Sequence, residues 1–307
     1  MGFRELMKVC LFTDSTWSLG LVARDIKAAL PEYEIDIIDW NSYFPQERIN
    51  DMYNKYDVLI VNIGVARGES PFNHLPDKRK IIFRSDGFEE FNNSGPLDVN
   101  NTYAAVSESI IKLFPQGSKV FWTPNGANPA FYTYKERDGI LNKIGWCGAP
   151  RVWFKQAHWA IEIARQTGIP FNITSSVPCE HNIQIWRPLS YEQVREWYST
   201  IDLLLITSIP NGSSETGPLP AFEAILSGVP VIGTPTGNFA KVPGPKFSSI
   251  EEGVNIVTYL QYNPDDLKAL AKEQHEYVMK YFTYDSFAYR WKEAIEYVHN
   301  LSKGSKD

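Results

Sequence analysis

The sequence predicts an α/β protein made of two doubly wound units, each built on its own parallel sheet. Three observations carry that reading. Short apolar runs of the kind buried on both faces of a parallel sheet alternate with segments of helical period. The alternation is set out twice, the second time from about Asp138. A chain of 307 residues is also long enough for two domains of ordinary size.

Taken in order, the first strand is Lys8 to Thr13 (KVCLFT), followed by the loop DSTWSLG and a helix from Leu21 to Leu30 that Pro31 ends. EIDIID, residues 34–39, alternates as a strand, and a helix near 46–54 leads to a third strand from Asp57 to Asn62. Lys80 to Arg84 (KIIFR) is a fourth. In the second unit the expected strands are 141–146, 171–175, 183–185, 202–207 and 229–233, with helices near 155–167, 190–199, 220–227 and 264–280. Ser190 with Gln193 has the spacing of a capping box, and Asn263 stands where it can cap the next helix. A final helix, from Tyr284 to about Leu301, carries Phe287, Tyr289, Trp291 and Tyr297. Right-handed crossovers follow from the parallel pairing.

Composition narrows the function. A net charge of −6 without a strong Lys/Arg cluster argues against stable nucleic-acid binding, since a phosphate backbone needs a basic face. Neither an eighteen-residue apolar run nor a signal-peptide core is visible, and there is no basic amphipathic helix, so at most peripheral membrane contact is expected. The three cysteines, Cys10, Cys147 and Cys179, are odd in number and widely spaced, which reads as reduced thiols in a cytoplasmic protein. No Asp-x-Asp or His cluster suggests a metal. His158 reads as structural, beside Trp159 and Ile161. Trp17, Trp40 and Trp153 fall in or near predicted loops, where an indole could stack on a sugar face or simply join the core.

The segment Glu215 to Gly237, ETGPLPAFEAILSGVPVIGTPTG, holds the densest chemical signal. It reads as loop, helix, glycine stop and strand, with Phe222, Ile225 and Leu226 at helical spacing and Gly228 as the exit. A helix starting near Pro220 aims its free amides and positive dipole end at the loop bearing Glu215, which suits a phosphate. Glu215 before the helix and Glu223 in its expected first turn could hold two sets of sugar hydroxyls on either side of a diphosphate.

This segment resembles the nucleotide-sugar site of retaining glycosyltransferases with the GT-B fold, the family of bacterial mannosyltransferases and sucrose synthases. The likeness rests on two glutamates separated by seven residues and on the SGVPVI strand entry. Three further segments agree in order. AVSES (105–109) resembles the helix start of that family, and VFWTPNGANPAF (120–131) its inter-domain segment, with Asn128 where an Asp is usual. IGWCGAPRVWFK (144–155) resembles the first strand and loop of the sugar-nucleotide domain, with Lys155 at the Lys position and Arg151 two residues beyond the usual Arg.

The resemblance implies two Rossmann-like domains with parallel sheets facing across a cleft. Residues 1–135 plus the C-terminal helix 284–307 would form the acceptor-side domain, and 136–283 the donor domain. It implies transfer of a hexose-type sugar from a UDP-, GDP- or ADP-sugar to a carbohydrate or glycoconjugate hydroxyl, with retention and with no cofactor or metal. Alternatives left open are transfer to a modified DNA base and a non-catalytic nucleotide-sugar binder. Glu223 then matches the residue that accepts from the ribose hydroxyls, and Glu215 the one that contacts the donor sugar. Arg151 and Lys155 are candidate cations for the diphosphate, where negative charge grows as the glycosidic bond breaks, although Arg151 equally reads as a solvated loop residue. Gly217, Pro218 and Leu219 line the same turn. Pro218 replaces the usual Gly and has no N–H to give. On the acceptor side, Trp17 and Gly20 occupy the loop after the first strand. Asp86, after the fourth strand, stands nearest the family's usual His, as proton acceptor or as a plain turn Asp before Gly87.

Overall fold

The computed structural model describes residues 6–13, 18–40, 45–66, 71–75, 77–92, 96–174, 184–186, 189–210 and 215–304. Its first elements are β1 (Lys8–Thr13), α1 (Ser18–Ala29), β2 (Glu34–Asp39), α2 (Gln46–Lys55), β3 (Val58–Asn62), β4 (Ile81–Ser85), α3 (Phe88–Asn92), β5 (Thr102–Ala105), α4 (Glu108–Ile111) and β6 (Lys119–Trp122). There follow β7 (Ile144–Cys147), α5 (Ala157–Thr167), β8 (Phe171–Thr174), β9 (Gln184–Trp186), α6 (Tyr191–Tyr198), β10 (Leu203–Ile206) and α7 (Leu219–Leu226). The chain ends with β11 (Val231–Gly233), α8 (Ile250–Tyr262), α9 (Pro264–Tyr281) and α10 (Tyr284–Ser302).

Two compact units divide the chain, Met1–Asn125 with Tyr284–Asp307, and Gly126–Thr283. The first holds a six-stranded sheet of order β2-β1-β3-β4-β5-β6, and the second a five-stranded sheet of order β11-β10-β7-β8-β9. Every neighbouring pair in both sheets is parallel. Strand order reverses between β1 and β3 in one sheet and between β7 and β10 in the other, so a crevice opens at the carboxyl ends of those strands. The division falls at Asn125/Gly126 rather than near residue 135. Ala127 bridges Thr283, and its N–H donates to the Phe282 carbonyl at 2.9 Å, which ties the segment to the second unit.

Apolar burial explains the strands. All five residues of β3 and of β4 are buried, as are all four of β10. At the edge of the second sheet, the fully buried Gln274 of α9 closes β11. Its Oε1 accepts from the Val231 N–H at 2.8 Å and its Nε2 donates to the Val231 carbonyl at 2.7 Å. Gly228, at φ +83°, ends α7 as the sequence predicted, where a Cβ would lie 2.1 Å from the Lys135 carbonyl oxygen.

Several elements escaped the sequence reading. β5 and β6 are four-residue strands, too short to show a period, and they gain their identity from pairing beside β4. α8 contains Gly253 and several β-branched residues, which argue against helix. Packing of Val257 and Leu260 into the core shared with α5 overrides that propensity. The Ser190–Gln193 capping box forms, whereas Asn263 makes no side-chain cap: its amide turns back to donate to the Tyr259 carbonyl at 2.7 Å. His158 is exposed on α5 rather than packed. Trp40 packs against the core of the first unit, not in an open loop.

α10 returns to the first unit and buries Phe287, Trp291, Ala294, Ile295 and Val298. At its start the Tyr284 hydroxyl donates to Asp25 of α1. Burial pushes the Asp25 carboxyl up to about 6, against the pull of that hydrogen bond. The folded protein therefore keeps a proton that the unfolded chain has released, and stability falls as pH rises from about 4 to about 6. We expect Asp25→Asn to remove a decline on the order of 2–3 kcal/mol from that window, so that chemical denaturation above pH 6 finds the variant more stable than the parent.

Candidate functional site

The switch point of the second sheet brings together Lys155, Glu215 and Pro218. The loop leaving β7 turns through a 3-10 segment, Trp153–Lys155, before α5 begins at Ala157. That turn is fastened to the loop leaving β10. The Ile209 N–H donates to the Phe154 carbonyl at 2.8 Å, and the Thr207 hydroxyl donates to the Lys155 carbonyl at 2.8 Å while accepting from Trp146 Nε1 at 3.0 Å. Fixed in this way, Lys155 pairs its ammonium with the carboxylate of Glu215, across side chains only 25% and 12% exposed.

Glu215 is held from behind as well. Its carbonyl accepts from the buried Thr236 hydroxyl at 3.1 Å, and the next carbonyl, of Thr216, accepts from the Asn238 N–H at 3.0 Å. Gly237 makes this contact possible. It sits at φ +47°, and a Cβ there would lie 2.2 Å from the Thr216 carbonyl oxygen. Glu215 and Thr216 are thus joined to the turn after β11.

Pro218 is the N-cap of α7 and contributes no N–H, and Pro220 follows within the first turn. The helix begins at Leu219, so Glu223 lies in its second turn and not in the first as expected. Glu223 is only 8% exposed, and its Oε2 accepts from the wholly buried Tyr198 hydroxyl of α6 at 2.8 Å. Cys147, at the end of β7, is a free thiol pushed up to about 12 by burial and then by the charge of Glu223. Lys155, Glu215 and Pro218 line one recess with Cys147, Thr207 and Ser208. Gly217 and Leu219 flank Pro218 in the same turn.

Arg151 stands apart. It is exposed on the turn before the 3-10 segment and makes no ion pair with a described residue. The neighbouring Trp153 is 70% exposed. In the first unit, Gly20 is buried within the first turn of α1, because that helix starts three residues earlier than its apolar pattern suggested; it is not a loop glycine. Trp17 lies outside the described residues, as does Cys179. Asp86 follows β4 and is paired with Arg84, whose guanidinium lies 5.6 Å from the Trp291 ring centre. Burial raises the Asp86 carboxyl, and the Arg84 charge opposes that rise. Both line a recess with Thr13 and Asn62, at the carboxyl ends of β1, β3 and β4.

Sequence reasoning missed Tyr198, Thr236 and Asn238. Their partners are 25, 21 and 22 residues away in the chain, so no local spacing marks them. Among the described residues no group of His, Cys, Asp and Glu could hold a metal ion, and no helix is long and apolar enough to cross a membrane.

Comparison with known proteins bears on the fold and on part of the sequence. Residues 155–293 match the profile of the glycosyl transferase-like family, a segment that starts at Lys155 and includes Tyr198, Glu215 and Glu223. Curated protein sequences give no match. Among solved structures, HepE from Anabaena in complex with UDP and glucose is similar at a TM-score of 0.72 and 12% identity, over 94% of this chain and 99% of that one. The catalytic domain of starch synthase IV from Arabidopsis thaliana, bound to ADP and acarbose, is similar at 0.66 and 13%, over 96% and 100%. The T4 phage glucosyltransferase BGT with UDP-glucose follows at 0.55 and 13%, over 94% and 100%. The chain has the GT-B fold.

Two outcomes follow from the geometry. Gly237→Ala forces a side chain into a left-handed position against the Thr216 carbonyl and is expected to lower stability by at least about 1–2 kcal/mol, with loss of any ligand-induced thermal shift. Cys147 and Cys10, both held near 12, have roughly one thiolate in ten thousand at pH 8. Peptide mapping after iodoacetamide treatment should find both unlabelled in the native protein and labelled in denaturant.

Proposed function

We propose that this protein is a glycosyltransferase that moves a hexose-type sugar from a nucleoside diphosphate sugar to an acceptor hydroxyl, with retention and without a metal ion. The observation that carries the reading is the Lys155–Glu215 pair, held on fastened loops at the switch point beside the amino end of α7. A diphosphate seated there would meet the ammonium of Lys155, the N–H groups of Gly217 and Leu219, and the positive end of the helix. Glu223 is the ribose acceptor in this reading and Glu215 the contact to the donor ring. Arg151, on an exposed turn, is proposed as a further cation for the diphosphate.

As the bond from the anomeric carbon to the phosphate oxygen breaks, charge grows on the diphosphate. Lys155 is aimed where that charge develops, which lowers the barrier more than it tightens substrate binding. The acceptor oxygen bonds to the anomeric carbon and gives up its proton, for which Asp86 is the proposed base. UDP, UDP-glucose and ADP in fold neighbours support a nucleotide-sugar donor. The glutamate spacing supports retention, by resemblance.

Two measurements test the reading. Thermal denaturation with UDP, GDP, ADP and their sugars should give one stabilising base, by about 2.7 kcal/mol at a hundred times the dissociation constant, and Glu223→Ala should abolish the shift. Absence of a shift with any nucleotide at millimolar concentration would overturn the donor site. In Glu215→Gln the ammonium of Lys155 loses its anionic partner, so the free nucleoside diphosphate should bind as tightly as to the parent or tighter. Turnover of the sugar nucleotide should nevertheless fall by a factor of about 100 or more, the scale of one lost transition-state contact.

A further inference from the structure

A carboxylate can recognise a ribose only if its oxygens are held in a defined plane, because each hydroxyl must meet a lone pair. For Glu223 a restraint of this kind comes from α6. The Tyr198 hydroxyl has one proton, and it donates that proton to Glu223 Oε2 at 2.8 Å. Tyr198 itself cannot swing away. It is fully buried, edge-on to Trp197 with ring centres 5.2 Å apart and to Tyr132 with centres 6.1 Å apart. The backbone beneath it is pinned by Arg137, which donates to the carbonyls of Tyr198 at 3.0 Å and Ser199 at 3.4 Å. Burial and the Glu223 charge raise the phenol well above its ordinary value, so the hydroxyl remains a donor at physiological pH.

We infer that Tyr198 is a positioning residue that fixes the Glu223 carboxylate and thereby sets discrimination between ribose and 2′-deoxyribose in the donor nucleotide. This rests on the assignment of Glu223 to the ribose. The hydrogen bond spans two helices, so rotating the carboxylate would cost a buried hydroxyl its charged acceptor, and the plane presented to the sugar stays constant.

The test is calorimetric binding of UDP, GDP and ADP beside their 2′-deoxy forms to the parent protein, Tyr198→Phe, Glu223→Ala and Tyr132→Phe. The last removes a hydroxyl from the same aromatic cluster without touching the Glu223 contact. The parent should prefer the ribonucleotide about tenfold or more, the effect of one hydrogen bond to a charged group. In Tyr198→Phe that preference should shrink to within about threefold, while melting stays cooperative and Tyr132→Phe keeps parental selectivity. If Tyr198→Phe keeps the full preference while Glu223→Ala loses it, the positioning role is overturned and the ribose assignment stands. If Glu223→Ala also keeps it, or the parent shows none, the ribose assignment fails and the inference falls with it. Should the Phe variant not fold, 3-fluorotyrosine at position 198 preserves shape and strengthens the donor. Unchanged selectivity there overturns the inference equally, and a changed ratio supports it.

Discussion

Parallel pairing of β10 beside β7 is the constraint from which the second unit follows. Those strands are neighbours in space but are separated in the chain by two further strands and two helices, so the loops leaving them depart in opposite senses. One loop carries Lys155 and the other carries Glu215. Their meeting depends on sheet register, in which Leu203 faces Ile144 and Leu204 faces Gly145. A slip of this pairing would turn the buried faces outward and separate the charges together.

Within that frame the site combines stiffness with an electrostatic balance. Lys155 and Glu215 neutralise each other in a half-buried setting, where an isolated ammonium or carboxylate would be poorly solvated. In the proposed reading, a diphosphate would share the ammonium with the carboxylate, so the net gain on binding would be smaller than the bare attraction between lysine and phosphate. Thr207 grips the Lys155 carbonyl, and Thr236 grips that of Glu215.

Much of this was legible in the sequence. Apolar runs such as VLIVN and LLLI announce strands because both faces are buried, and Gly228 announces a helix exit because a left-handed residue must follow the last turn. What stayed hidden depends on distant partners. The strand character of TYAA comes from β4 and β6 beside it, and α8 forms against its own propensity through packing with α5. The site divides in the same way. Glu215 and Glu223 stand out by their seven-residue separation and Lys155 by resemblance, whereas Tyr198, Thr236 and Asn238 make contacts that no window of sequence contains. Asp86 illustrates a third case: its place after a strand was readable, but its engagement with Arg84 required the fold.

Gln274 carries a wider consequence. One carboxamide both donates to and accepts from the main chain of Val231, so for the length of a single residue it imitates a neighbouring strand. The sheet is thereby finished by a side chain borne on a helix. Growth of this unit by addition of a strand at that margin would first have to evict α9. At this edge, then, a helix side chain occupies the place of one residue of a further strand.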